Sequence, residues 1–283
     1  MLISIIIPTC LRSECELIRA IDSVLWNGYD NIEIIVVNDN RTNSFDDFCF
    51  LISRYSSASI KFLYNTGEKG AASARNYAVN YSSGELITFL DDDDFILPGR
   101  LEQMYLAFIE LESKGIHLIS TGRVYQYENY SQLEIVGRQL FGKINLKDIY
   151  IHNDIDIGFM VRKSFFLELN GFDQSYKNLE DWDFIIRALK LGGAYKLKSF
   201  SYIVKNDISN NRVSNNDYIG LEKILNNYSS EFGLVWKEKI EIQIARSMNK
   251  YGLRKAIRAT FVCRSLYPII NYLGYIKNAI ISK

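Results

Sequence analysis

The chain has 283 residues, of which 48% are hydrophobic and 23% are charged, so it can form a sizeable globular core and intrinsic disorder is not expected. Its 33 basic and 33 acidic side chains balance, which argues against a strongly basic nucleic-acid-binding protein. The four cysteines form no Cys-x-x-Cys pair and there are only two histidines, so a zinc site is not expected and a reducing compartment is favoured.

Strands and helices are predicted to alternate through the first half of the chain. Runs of aliphatic residues that end in polar ones predict strands, and apolar residues three or four apart predict helices. The strands are Leu2–Ile7, Ile32–Val37, Ile60–Tyr64 and Glu85–Leu90, and the helices are Glu14–Trp26, Phe45–Tyr55, Ala71–Tyr81 and Arg100–Ser113. Four strand–helix pairs predict an α/β fold with a Rossmann-like, mainly parallel sheet and flanking helices.

The second half of the chain is less regular. Strands are predicted at His117–Gln126, Asp156–Arg162 and Tyr195–Val204, a helix at Glu180–Leu191, and a polar loop at Ser209–Asp217. Helices are predicted from there to the end of the chain. We therefore expect one domain over residues 1–219 and a helical, basic C-terminal extension over residues 220–283.

The extension is strongly basic. Between Lys237 and Lys283 there are ten basic residues and two acidic ones, a net charge of +8. Such a charge predicts contact with an anionic membrane surface, and the alternatives are an appendage packed on the domain or a dimer contact. The apolar stretch Leu266–Ile281 is too short and too interrupted to span a bilayer, and no basic leader precedes Pro8 as in a signal peptide. We expect a cytoplasmic protein that can lie peripherally on the inner face of the cell membrane.

Polar side chains follow three of the predicted strands, at the point where each strand ends. They are Pro8–Thr9, Asn38–Asp39 and Asp91–Asp94. In open parallel sheets, ligands bind in the crevice beyond the carboxyl ends of the strands. The three clusters together therefore predict a ligand site at this edge of the sheet.

Four consecutive aspartates are the most unusual of these clusters. Carboxylates at a strand end can hold Mg²⁺ or Mn²⁺, which can also bind a diphosphate. On an extended segment side chains alternate, so Asp91 and Asp93 would share one crevice and Asp92 would point elsewhere. The alternatives are a solvated turn or a cap for the next helix.

Three further positions have both a functional and a structural interpretation. Asp39 can accept a hydrogen bond from a ribose hydroxyl or a base N–H, or it can form a local turn. Arg75, in a helix of small residues, can reach a phosphate or a base, or it can be a surface arginine. Glu180 and Asp181 can supply a general base beside Trp182, or they can simply favour the helix N-terminus.

Taken in order, these motifs resemble a known family. Strand-Pro-Thr, strand-Asn-Asp, Ala-Ser-Ala-Arg-Asn, Phe-Leu-Asp-Asp-Asp-Asp, and Gly-Phe-Asp followed by Glu-Asp-Trp are similar to the pattern of family 2 glycosyltransferases of the GT-A fold. These are inverting enzymes that use nucleotide-diphosphate sugars. The resemblance extends over about Leu2 to Ser214, and it rests on the order and spacing of the motifs.

The resemblance implies a role for each matching residue. Asp181 would be the catalytic base with Glu180 beside it, Asp93 would be the main metal ligand together with Asp91, and Trp182 and Arg212 would lie on the acceptor side and in a closing loop. The implied nucleotide-binding residues are Pro8, Thr9, Arg12, Asp39, Arg75, Asp91 and Asp92. The implied cofactor is a divalent metal, Mn²⁺ or Mg²⁺. Many members carry a histidine after the last strand, whereas residues 205–214 contain none, so we expect Arg212 to compensate.

The resemblance also implies a function. The chain would transfer a sugar, from a UDP-sugar by family habit, to a hydroxyl of a lipid-linked glycan in O-antigen or capsule biosynthesis. One alternative is a sugar nucleotidyltransferase, but no glycine- and lysine-rich triphosphate loop follows the first strand. A phosphatase of the haloacid-dehalogenase type would need Asp-x-Asp-x-Thr where Pro8-Thr9-Cys10 stands. The other alternative is a catalytically inactive nucleotide- or sugar-binding scaffold, which only turnover can distinguish.

Overall fold

The computed structural model describes residues 1–40, 42–48, 54–55, 60–127, 132–135, 139–206 and 217–281. The chain divides into two compact units. The first comprises Met1–Ile149, Asn153–Ser175 and Asp181–Ile208, and the second comprises Tyr150–His152, Tyr176–Glu180 and Ser209–Lys283. The second unit thus combines the C-terminal region with two short earlier segments. The domain boundary expected after residue 219 stays a prediction.

The first unit is built on a mainly parallel sheet, as the sequence predicted. Its strands, within the described residues, are β1 Ile3–Thr9, β2 Ile32–Asn38, β3 Ile60–Tyr64, β4 Leu86–Phe89, β5 Phe95–Ile96, β6 Ile116–Tyr127, β7 Gln132–Ile135, β8 Gly142–Ile144, β9 Met160–Arg162 and β10 Gly193–Lys205. Their order is β3-β2-β1-β4-β9-β6-β10-β5, with β7 on β6 and β8 on β10. The pairs β3–β2, β2–β1, β1–β4 and β6–β10 are parallel, whereas β9 runs antiparallel to both neighbours.

Helices flank this sheet. They are α1 Glu14–Leu25, α2 Ala71–Tyr81, α3 Arg100–Leu111, α4 Lys163–Glu168 and α5 Glu180–Leu189. In α1 the Ser13 side chain accepts a hydrogen bond from the Glu16 N–H, and the apolar residues Leu17, Ala20, Ile21 and Val24 are buried. These four residues join the aliphatic side chains of β1 and β2 in the main core. The spacing of apolar residues therefore determines both where α1 begins and which face it buries.

The structure differs from the predicted elements in three places. The helix predicted over Phe45–Tyr55 begins with a short 3-10 turn, Phe45–Phe48, and residues 49–53 lie outside the described part. The strand predicted over Asp156–Arg162 is confined to Met160–Arg162, because the Asp156 carboxylate is bonded to buried side chains instead. The two-residue strand β5 was not predicted, since two residues carry no detectable alternation.

The second unit is helical. Its helices are α6 Asp217–Ser247, which is interrupted at Gly233, α7 Leu253–Cys263 and α8 Tyr267–Ile281. Trp236 Nε1 and Gln243 Nε2 of α6 each donate a hydrogen bond of 2.7 Å, to the carbonyl oxygens of Tyr150 and Ile151. These two bonds attach the short segment Tyr150–His152 to the helical region. No helix among the described residues is long and apolar enough to cross a membrane.

Candidate active site

The ends of three parallel strands bring their polar residues to one edge of the sheet. β1 lies between β2 and β4, with Thr9 opposite Asn38 and Ile6 opposite Phe89. The Asp39 N–H donates to the Thr9 carbonyl oxygen at 2.8 Å. Pro8 lies at the same end of β1, opposite Val37 of β2 and beyond the last residue pair that joins β1 to β4. The polar residues that end these strands therefore meet at one edge of the sheet, and the ligand site expected there stays a prediction.

Asp39 is buried, and its carboxylate holds the glycine-flanked loop that leads into α2. One oxygen accepts a hydrogen bond from Asn65 Nδ2 at 2.7 Å and the other from the Gly70 N–H at 2.8 Å. The local turn considered for Asp39 is instead made by Asn38, whose side-chain oxygen accepts from the Asn40 N–H at 2.7 Å. Each carboxylate oxygen can accept more than one hydrogen bond, so Asp39 retains the capacity to bind a ligand N–H or O–H.

The four aspartates form a turn instead of prolonging β4. The Asp94 N–H donates to the Asp91 carbonyl oxygen at 3.1 Å, so the alternation expected of an extended segment does not apply. The first strand after the turn, β5, begins at Phe95. Because of the turn, Asp91, Asp92 and Asp94 each contact a different part of the chain.

Two of these carboxylates face arginines. Arg75 Nη2 lies 2.6 Å from an Asp91 oxygen, and the Arg75 side chain is 5% exposed, so it is not a surface arginine. Asp92 accepts from Thr9 Oγ1 at 2.7 Å and from Arg12 Nη2 at 2.9 Å. The Arg12 side chain is 64% exposed, which leaves much of its guanidinium accessible. Two of the four carboxylates are thus paired with arginines, one of which is buried and the other accessible.

Asp93 is the carboxylate of this turn that has no side-chain hydrogen bond or ion pair within the described residues. Burial, and then the nearby charges of Asp91 and Asp92, raise the pKa of Asp93 to about 6. Asp94 is also buried, and burial raises its pKa, but one oxygen accepts from the Lys205 N–H at 2.9 Å. An additional positive charge beside Asp93 would therefore favour the charged form of its carboxylate.

The residues of the turn fit a divalent cation only in part. Hard cations such as Mg²⁺ and Mn²⁺ prefer carboxylate oxygens, and the Asp93 carboxylate forms no ion pair among the described residues, although the charge of Arg12 lowers its pKa. No group of three or more His, Cys, Asp or Glu side chains arranged to hold a metal occurs in the part of the chain that the structure describes. A cation at Asp93 would therefore need further oxygen ligands from a bound molecule or from water, which is compatible with the octahedral preference of Mg²⁺.

A cluster of buried phenylalanines connects the aspartate turn with the start of α5. Its members are Phe89, Phe159, Phe166, Phe172 and Phe184. The Phe172 ring lies 5.0 Å from the Phe89 ring and 5.4 Å from the Phe184 ring, both in edge-to-face contact. Phe89 precedes Asp91 by two residues, and Phe184 follows Asp181 by three. Packing in this cluster therefore holds the start of α5 against the end of β4.

Helix α5 begins with Glu180 and Asp181, and Asn153 contacts Asp181. Asn153 Nδ2 donates to Asp181 Oδ2 at 3.0 Å, and Asn153 Oδ1 accepts from the Ile155 N–H at 3.0 Å. Trp182 is 3% exposed, and its Nε1 donates to the Ile149 carbonyl oxygen at 3.0 Å. Trp182 thus anchors the chain that precedes Asn153, and the acceptor contact expected of it stays a prediction.

A fully buried arginine holds the segment that follows Asn153. Arg100 donates to Thr121 Oγ1 at 3.1 Å, to an Asp156 oxygen at 3.3 Å and to the Gly158 carbonyl oxygen at 2.9 Å. Both side chains of the Arg100–Asp156 pair are at most 3% exposed. Removing one partner of such a buried ion pair lowers the stability of the protein strongly, because the other charge then stays buried without compensation.

The glycosyl transferase family 2 model matches residues 4–169, which is more than half of the chain and contains all the elements from β1 to α4. The chain belongs to glycosyl transferase family 2. This family 2 chain is 31% identical over 212 residues to WcaA of Escherichia coli, whose name refers to colanic acid biosynthesis, with 72% of each protein covered. It is 41% identical over 101 residues to WfgD of Escherichia coli, named as a UDP-Glc:alpha-D-GlcNAc-diphosphoundecaprenol beta-1,3-glucosyltransferase, with 36% of this chain and 38% of the relative covered.

The fold of this family 2 chain is also that of a solved structure. TarS of Staphylococcus aureus in complex with UDP-GlcNAc matches with a TM-score of 0.63 at 19% identity, over 87% of this chain and 72% of that chain. The GT-A-like fold predicted from the sequence is thereby confirmed. The chain spans only part of some curated relatives: 20% of GlyA of Streptococcus pneumoniae and 55% of a Haemophilus influenzae glycosyltransferase.

The structure brings most of the predicted site residues into the first unit of this family 2 chain. Thr9, Arg12, Arg75, Asp91 and Asp92 are joined by direct contacts, whereas their roles stay predictions. Arg212 lies outside the described residues.

Sequence reasoning missed four side chains that hold the site: Asn65, Asn76, Arg100 and Asn153. Asn76 pairs with the Phe172 backbone through hydrogen bonds of 2.8 and 3.0 Å. Asn65 follows β3 as Asp39 follows β2, and Asn76 directly follows Arg75, so the sequence carried a signal for these two. Arg100 has partners 21 to 58 residues away and Asn153 reaches Asp181 across 28 residues, and a single sequence carries no signal for such contacts.

The Arg100–Asp156 pair generates a prediction about stability. We expect Arg100→Met to lower the free energy of unfolding by about 3–5 kcal/mol, because Asp156 would keep a buried charge without its partner. The double variant Arg100→Met/Asp156→Leu should recover much of this loss. Urea unfolding followed by circular dichroism measures both values, and Lys114→Met, at an exposed ion pair, is the control. Equal losses in the single and double variants would contradict the uncompensated charge as the cause.

Proposed function

We propose that the chain is an inverting, metal-dependent glycosyltransferase that moves a sugar from a nucleotide-diphosphate donor to a hydroxyl of a glycan acceptor. The observation that carries the proposal is the position of Asp93 and Asp181. Asp93 is a half-buried carboxylate with no side-chain ion pair among the described residues, and the phenylalanine cluster packs the start of α5 against the end of β4. One carboxylate suits a cation and the other suits a proton, which are the two requirements of transfer from a diphosphate to a hydroxyl.

The donor is proposed to be a UDP-sugar. Arg12 and Arg75 contact the aspartate turn, and guanidinium groups are well suited to diphosphate oxygens. Asp39 can accept a hydrogen bond from the nucleoside at the next strand end. Support for uridine comes from the printed names of the relatives: WfgD acts on UDP-Glc, and TarS was solved with UDP-GlcNAc.

The proposed acceptor is a lipid-linked glycan in surface polysaccharide biosynthesis. WfgD is named for an acceptor carried on diphosphoundecaprenol, and the name of WcaA refers to colanic acid, a polysaccharide. The acceptor would approach the side of the site framed by Asn153 and the first turn of α5.

Asp181 accepts the proton of the acceptor hydroxyl during the proposed transfer. The acceptor oxygen forms a bond to the anomeric carbon as the bond from that carbon to the diphosphate oxygen breaks, so the configuration inverts and the nucleoside diphosphate leaves. Asn153 donates a hydrogen bond to one Asp181 oxygen and so helps to hold the carboxylate in place. A divalent cation held by Asp93 would neutralise charge on the leaving diphosphate.

Removing the Asp93 charge should abolish metal-dependent nucleotide binding. We expect UDP with Mn²⁺ to raise the melting temperature of the natural protein, and UDP alone to raise it much less, since a ligand stabilises in proportion to the logarithm of its saturation. In Asp93→Asn the two melting temperatures should coincide. The control is Glu102→Gln on the exposed side of α3. A full Mn²⁺-dependent shift in Asp93→Asn would contradict the metal assignment.

Removing the proposed base should separate binding from turnover. We expect Asp181→Asn to keep the UDP-induced shift in melting temperature and to lose about 10²–10⁴-fold in kcat, the usual contribution of a general base. Transfer is measured as release of UDP in the presence of a UDP-sugar and a lipid-linked acceptor. Unchanged turnover would exclude Asp181 as the base, whereas release of pyrophosphate from UTP and a sugar phosphate would favour a sugar nucleotidyltransferase. Binding without turnover in the natural protein would favour the scaffold.

Asn153 is expected to act through Asp181. Its donated hydrogen bond stabilises the charged carboxylate, so its removal should move the acidic limb of the kcat–pH profile to higher pH. We expect Asn153→Ala to lower kcat about tenfold near neutral pH with little change in KM for the donor. Asn153→Ser, which keeps a donor, should lie between the two. A tenfold loss with an unshifted profile would indicate a structural role only.

A further inference from the structure

The last two helices of the second unit expose apolar side chains on their outer face. On α7 these are Leu253, Ile257 and Phe261, and Phe261 is 78% exposed. Residues four apart differ by about 40° around a helix, so the three form one stripe. The opposite side of α7 carries Ala256 and Ala259, which are fully buried. The helix is therefore held by its inner face, while an apolar stripe remains outside.

The same arrangement continues into α8. Ile269, Tyr272 and Tyr275 pack against the small core that contains Ala256 and Ala259. Outer residues of this region remain exposed, namely Leu266, Ile270 and Leu273, each at 60% or more. Single exposed apolar residues are ordinary on protein surfaces, but here six lie close together in the chain, three on α7, one in the link that follows it and two on α8. We call these six residues, Leu253, Ile257, Phe261, Leu266, Ile270 and Leu273, the tail face.

The surroundings of the tail face are basic. Residues 251–283 contain six Lys or Arg residues and no Asp or Glu. Arg258 pairs with Glu238 at 3.0 Å and Lys255 lies 3.6 Å from Glu241, both acids of α6. Arg254, beside the stripe, and Arg264, at the C-terminal end of α7, form no ion pair within the described residues.

We propose that the tail face binds the surface of a membrane that contains anionic lipids, with its apolar side chains in the headgroup region and Arg254 and Arg264 at lipid phosphates. An apolar stripe flanked by arginine is the usual composition of a helix that lies in such an interface. Charge argues against a second copy of the chain, because dimerisation through this face would bring together two surfaces that each carry Arg254 and Arg264 and no acidic residue from α7 or α8. The proposal extends beyond sugar transfer and is tested without any enzymatic assay.

The test is flotation of the full chain with vesicles of phosphatidylcholine, either alone or mixed with phosphatidylglycerol. We expect flotation with the mixed vesicles, weakened by high salt, and little flotation with phosphatidylcholine alone. The double variant Phe261→Ser/Ile270→Ser should lose about tenfold or more in vesicle affinity. The matched control is Leu106→Ser/Leu191→Ser, which removes two apolar side chains of similar exposure, 59% and 58%, from the first unit.

Two outcomes would overturn the proposal. One is equal flotation of the natural protein and the tail variant, with circular dichroism showing that both are folded. The other is absence of vesicle binding together with a dimer in light scattering that the tail variant lacks, which would assign the tail face to a second copy. Because neither measurement depends on turnover, failure of the proposed transfer activity would leave this test intact.

Discussion

Mutual repulsion among the four carboxylates that follow β4 is the constraint on which the rest of the site depends. Arg75 and Arg12 contact Asp91 and Asp92, whereas Asp93 keeps a pKa of about 6 because it is buried beside those two charges. An aspartate in the unfolded chain has a pKa of about 3.9, so the folded state holds this proton more tightly. The contribution of Asp93 to stability is therefore present at low pH and is lost as the pH rises through about 6. At neutral pH, repulsion between Asp93 and the neighbouring carboxylates therefore lowers the stability of the folded chain.

The partners of the turn come from elements distant in sequence, which makes the turn the point where the first unit is joined. Thr9 ends β1, Arg75 lies in α2 and Lys205 ends β10. Arg75 depends in turn on the start of α2, which the hydrogen bond between Asp39 and the Gly70 N–H holds in place. A change at any of these elements would alter the electrostatics of Asp93 without touching it. Such coupling through a shared charge cluster is expected to make mutations here non-additive.

Local patterns in the sequence predicted the strands and helices well, whereas contacts between residues distant in the sequence could not be predicted. Helix α2 begins and ends where small residues and the following serines predict, and the three strand-end clusters meet as the parallel order requires. The buried state of Trp182, and the pairing of Arg100 with Asp156 across 56 residues, could not be predicted. No periodicity specifies which distant group satisfies a buried charge, because that depends on how the strands are ordered in the sheet. The strand predicted from Asp156 was too long for this reason.

The two units depart from the usual division between a polar surface and an apolar interior in opposite directions. The first buries charge, at Asp93 and in the Arg100–Asp156 pair, and the second exposes apolar side chains such as Phe261. The Arg100–Asp156 pair is compensated internally, so it needs nothing from outside the chain. Asp93 forms no ion pair among the described residues and Phe261 is 78% exposed, and each has a free-energy cost in the isolated protein. A cation with a nucleotide would remove the first cost and a lipid surface the second. Residues that destabilise the free chain are thus the ones that make binding favourable.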